Sequence, residues 1–103
     1  MRDDALQVQS LAAIMSVYGN HMHYDEALAC GFKLIEVNEH VHDMRSEVSA
    51  HYFIATSFIE NRDLAAARRH SSEMLPQAER LGDRVWLEGA CWETAMTVRL
   101  AGE

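Results

Sequence analysis

The sequence predicts an all-α protein of stacked antiparallel helical hairpins, and three observations predict it. Ala, Leu, Glu, Arg and Met are plentiful, against one proline and five glycines in 103 residues, so good helix formers meet few interruptions. Apolar residues recur at helical spacing through five segments separated by short polar turns. The chain also matches itself when shifted by forty residues.

The first helix is expected over about 4–19, with Val8, Leu11, Ala12, Met15 and Tyr18 on one side before Gly19-Asn20 breaks the pattern. Asp25 opens a second helix, over 24–40. Asp43 is a good N-cap for a third, over 43–60, which carries Val48, His51, Ile54, Ala55 and Phe58. Asn61-Arg62-Asp63 makes a turn into a fourth, over 63–81. Pro76 stands inside that helix, removes one backbone donor and is expected to bend it or shorten its regular part. Gly82 suits its C-terminal cap, and Asp83 caps a fifth helix over 83–101. Turns this short make consecutive helices antiparallel neighbours.

The forty-residue offset sets Val8 on Val48, Ile14 on Ile54, Tyr18 on Phe58, Tyr24 on Leu64 and Ala27 on Ala67. It also sets Leu34 on Met74, Ile35 on Leu75, Glu39 on Glu79, Val41 on Leu81 and Asp43 on Asp83. Size and polarity are kept at these pairs, whereas Leu28 on Arg68 breaks the match. One domain follows, with a first unit over about 4–42, a second over 43–82 and a half unit over 83–101.

Leu11, Ile14, Met15, Tyr18, Tyr24, Ala27, Gly31 and Leu34, followed by Ile54, Ala55, Phe58, Leu64, Ala67, Ser71 and Met74, give the chain a resemblance to the tetratricopeptide repeat. Its small residues stand where two helices cross closely, and its large ones fill the space between hairpins. A unit of forty exceeds the usual length of about 34 and resembles the long-helix variety of bacterial regulators. The resemblance implies a short right-handed solenoid of about two and a half repeats. It also implies a concave groove lined by the first helix of each hairpin. The function it implies is non-catalytic protein–protein interaction or regulation within a larger bacterial signalling protein. Two alternatives stand beside it. One is a ligand- or peptide-sensing domain controlling a fused diguanylate cyclase or transcription activator, and the other is a self-association module.

Composition narrows the partners. Nine Lys and Arg stand against 16 Asp and Glu, a formal charge of −7, which disfavours nucleic acid and anionic membranes. Arg68-Arg69-His70 is the nearest approach to a basic cluster and reads as a solvated helix face. The acidic start MRDDALQVQS does not resemble a secretion signal, and no stretch approaches the roughly 20 apolar residues of a membrane span. Cys30 and Cys91 lack CxxC spacing and fit buried free thiols in a reducing cytoplasm. A cytoplasmic location is expected.

No nucleophile, phosphate loop or HExxH arrangement occurs, so neither an enzyme nor a cofactor is expected. His21-Met22-His23 and His40-Val41-His42 have the spacing of transition-metal ligands. They fall in turns at opposite ends of a helix about 20 Å long, so no shared metal site is expected.

By helical phase and resemblance, the groove would be lined by Gln9, Ser16, Asn20, Ser49, Tyr52, Phe53, Thr56, Glu60, Trp92, Glu93, Met96 and Arg99. Tyr52, Phe53 and Trp92 would form an aromatic strip for a peptide or helix. The fifth helix is apolar on more than one side. Trp86, Leu87 and Val98 are therefore expected to meet a second copy of the chain, as a homodimer, or a missing downstream domain.

Overall fold

The computed structural model describes residues 2–100 and 102. They form five α-helices: α1 (Arg2–Asn20), α2 (Tyr24–Val41), α3 (Met44–Glu60), α4 (Leu64–Leu81) and α5 (Arg84–Leu100). Among the described residues there is no strand. The helix ends lie within two residues of those read from caps and periodicity; the expected last residue of α5, 101, lies outside the described residues. Pro76 neither ends nor shortens α4, which continues past it to Leu81. Its ring is exposed, away from the packed face.

The turns recur with a fixed pattern. After α1, the N–H groups of His21, Met22 and His23 donate to the carbonyls of Val17, Gly19 and Tyr18. Forty positions on, those of Asn61, Arg62 and Asp63 donate to Ser57, Ile59 and Phe58. Met22 and Arg62 both have positive φ, at 65° and 63°, as do His42 and Gly82, at 61° and 71°.

The caps differ more than the turns. The Asp63 carboxylate accepts from the Ala66 N–H, and that of Asp83 from Val85 and Trp86, which meets the usual need of an orphan first turn. Asp43 stands at the N-cap of α3 without that bond, because its carboxylate accepts the Ser46 hydroxyl instead. Asn38 holds this turn: its Oδ1 accepts from the Asp43 N–H at 2.9 Å and its Nδ2 donates to the Asp43 carbonyl at 3.0 Å. Arg45 then pairs with Asp83 and draws its carboxyl below the usual range.

Packing centres on α3. Each helix packs closely along the next, α1 and α5 also pack closely along α3, and the α2 and α4 backbones stay farther apart, meeting through the Phe32 and His70 rings. Val8, Met15, Ala27, Leu34 and Val37 join Ala50 and Phe53 in a core cluster on one flank of α3. On the other flank Val48 joins Met74, Ala78 and Ala90, with Tyr52, Leu75, Trp86 and Leu87 against them. Fully burying one such large apolar side chain is worth about 1.5–3 kcal/mol.

Three consecutive α3 residues enter notches left by glycines on three different helices. A Cβ at Gly19 of α1 would stand 2.3 Å from the Phe53 ring, and one at Gly31 of α2 would stand 2.7 Å from Cγ1 of Ile54. At Gly89 of α5 it would stand 3.3 Å from the Tyr52 ring. No helix among the described residues is long and apolar enough to cross a membrane.

Candidate functional site

The residues expected to line a groove divide by burial. Gln9, Asn20, Glu60, Trp92 and Arg99 are exposed, and Ser16, Tyr52, Thr56 and Met96 are half-buried. Ser49, Phe53 and Glu93 are buried within the chain and offer no surface to a ligand. Phe53 is covered because α1 closes on it at Gly19. Ser49 turns inward to donate to the Ser46 carbonyl.

The aromatic strip is accordingly rearranged. Tyr52 packs edge-on against Phe53, at 5.2 Å between centroids, and against Trp86, at 5.8 Å. Trp92 stays half exposed on the outer side of α5. Trp86 and Leu87, expected at an interface, pack against the Val48–Met74–Ala78–Ala90 cluster. Val98 remains exposed; of the two thiols expected to be buried, Cys30 is half-buried and Cys91 exposed. Glu60 and Met96 meet in a shallow cleft completed by Ile59, Arg62 and Leu100.

Glu93 and Thr56 form a polar pair between α5 and α3. The Glu93 side chain is fully buried on α5, and burial pushes its carboxyl up to about 7. Thr56 Oγ1 lies within bonding distance of both Glu93 Oε1 and the Tyr52 carbonyl. One hydroxyl proton cannot serve two acceptors. A protonated Glu93 resolves this, donating to Thr56 while Thr56 donates to Tyr52. Glu93 Oε2 has no hydrogen-bond partner among the described residues. The buried acid also raises the Tyr52 phenol, after burial itself.

A second polar cluster joins α3 to α4. His51 Nδ1 lies 3.0 Å from His70 Nδ1, and His51 Nε2 lies 3.6 Å from Glu73 Oε2. His51 is buried and His70 half-buried, and burial lowers both imidazoles below their ordinary range. Phe58 stacks on the His70 ring at 5.9 Å and Phe32 meets it edge-on at 5.7 Å. One ligand atom from each of His51, His70 and Glu73 falls within 4.8 Å of the others.

Reading histidines by adjacency in sequence selects the two exposed pairs and misses this one. His21 caps α1 by bonding the Val17 carbonyl, and His23 packs edge-on to Tyr18. His40 and His42 are exposed at the far end of α2. The usable signal was position about a turn: His51 lies eleven residues before Arg62 and His70 eight after it, so an antiparallel hairpin brings them to within about one helical turn of the same level. No protein-family model, curated protein or solved structure matches the chain.

Proposed function

We propose that the chain is a non-catalytic helical-repeat module of tetratricopeptide type that binds protein partners, receiving an amphipathic partner helix on the outer face of α5. The forty-residue recurrence of turn bonds and positive-φ positions supports the repeat. So do the close packing of α1 and α5 on α3 and the wider spacing of the α2 and α4 backbones. Inner helices α1, α3 and α5 would then line one layer of a short solenoid, and α2 and α4 the other.

One observation carries the docking face. Cys91, Trp92 and Val98 are exposed on α5. Forty positions earlier stand His51, Tyr52 and Phe58, which pack on α4 and α5. The α5 surface thus repeats the α3 surface that receives a helix, without a helix on it. A helix patterned like α4, with small residues at Ala67- and Ser71-like places and a large one at a Met74-like place, fits that face.

A labelled peptide of residues 64–81, titrated into the protein and followed by fluorescence anisotropy, tests this. Saturable binding lost in Trp92→Glu and Val98→Glu supports the reading. Sedimentation at micromolar concentration runs beside it: a dimer that both variants dissolve makes a second copy the occupant and replaces the partner-helix reading. A monomer that binds no peptide overturns it.

A further inference from the structure

The His51–His70 pair is unusual for a contact that packing alone must make. At the same stations of the first hairpin stand Leu11 and Cys30, both packed against the apolar cluster. Two hydrophobic groups fill that space forty residues earlier, so the fold does not require two imidazoles there. Burying two polar rings is costly unless they gain partners. The pair itself supplies only one hydrogen bond, since a neutral ring must donate and the other accept.

The geometry points to a metal site: we propose that His51, His70 and Glu73 bind a divalent transition-metal ion of the Zn2+ class, with water completing its shell. A tetrahedral zinc ion with bonds of about 2.0–2.1 Å holds its ligand atoms about 3.3 Å apart. The two Nδ1 atoms stand at 3.0 Å, close to that separation. Glu73 is half exposed and one turn beyond His70 on α4, so side-chain rotation brings its carboxylate in without backbone movement. Phe32 and Phe58 hold the His70 ring in place, and rigid helices supply all three ligands. The proposal is independent of the docking reading, since the site lies between α3 and α4 rather than on the outer face of α5.

The exposed histidines would bind metal adventitiously, so the test begins by removing them. In a His21→Gln, His23→Gln, His40→Gln, His42→Gln variant, Co2+ alone is titrated and its visible d–d bands are followed, with Zn2+ competition afterwards. The expected result is one equivalent bound with tetrahedral bands, bleached by Zn2+. Affinity should fall at least tenfold in Glu73→Gln and be lost in His70→Gln. Circular dichroism confirms that His70→Gln is folded; Glu73→Gln, altered only at an exposed side chain, keeps the question decidable if it is not. Binding that vanishes in the quadruple variant, that persists in both single variants, or that never appears overturns the site.

Discussion

Each of the four interhelical turns holds one residue in the left-handed region, and only at Gly82 is that residue a glycine. Met22, His42 and Arg62 adopt the same backbone with side chains that disfavour it by about 1–2 kcal/mol. Part of that cost returns through the flexibility that glycine adds to the unfolded chain, about 0.5–1 kcal/mol. His42→Gly and Arg62→Gly should each stabilise the protein by up to ~1 kcal/mol, and the double variant should melt several degrees higher. Gly82→Ala should destabilise by a similar amount, for conformational reasons alone, since a Cβ there meets nothing within 4 Å. Glu93 gives a pH dependence at the same scale. Its folded value of about 7 lies above the ordinary 4.5, so the folded state keeps a proton that the unfolded chain releases. Its contribution is complete below about pH 4.5, is lost as pH rises through 7 and is flat above, roughly 3 kcal/mol in all. His51 and His70, lowered by burial, act in the opposite sense: their contribution is present above pH 6.5 and is lost as pH falls below it. Comparing urea midpoints of wild type and Glu93→Gln at pH 5 and pH 8 isolates the acid: the variant should gain on wild type at pH 8 and lose that advantage at pH 5.

At the scale of the helix, α3 is gripped from both flanks, which explains what its sequence reveals and what it hides. Helix bounds were legible because caps and breakers such as Asp63, Gly82 and Asp83 act locally. The fate of Phe53 and Glu93 was not. Helical phase tells that a side chain faces a neighbour, but a helix with apolar residues on two flanks gives no sign of which flank is covered. Only the notch at Gly19 puts Phe53 in the core, and that depends on a residue 34 positions away in another helix. Trp86 and Trp92 divide for a similar reason: both are apolar residues of α5, and α3 covers the first alone through Tyr52. Gly31→Ala tests how tight the notches are. Alanine gains about 1 kcal/mol in helix propensity, but its Cβ would press within 2.7 Å of Cγ1 of buried Ile54. The variant should lose about 1–3 kcal/mol net by chemical denaturation. Gly89→Ala, facing Tyr52 at 3.3 Å, should be close to neutral.

The whole molecule is a slab of 45 × 28 × 19 Å whose two end faces resemble its interior. Leu6, Ile14 and Val17 are exposed on α1. Forty positions on, Ser46, Ile54 and Ser57 are buried on α3. The α1 surface thus exposes apolar groups at stations that the middle helix buries. Appending a copy of residues 61–82 after residue 100 should cover Trp92 and Val98. Its expected effect is a higher melting temperature and a blue-shifted tryptophan emission relative to the protein without the added segment. An unchanged emission maximum would show that the α5 face does not accept a helix of this pattern.

The insertion of Tyr52, Phe53 and Ile54 into three separate helices also sets an order of events in time. Contacts join helices no more than two apart in the chain, so loop closure is short and folding should be fast. Every tertiary contact of α1 and α5 beyond their hairpin mates is with α3, so neither can dock fully before α3 has formed. Native-state hydrogen exchange should therefore find the slowest amides in α3 around residues 50–57 and the fastest helical ones in α1 and α5, whose outer faces open to solvent without disturbing the centre. Mutations in α3 should slow refolding, whereas those on the outer faces of α1 and α5 should act mainly on the unfolding rate.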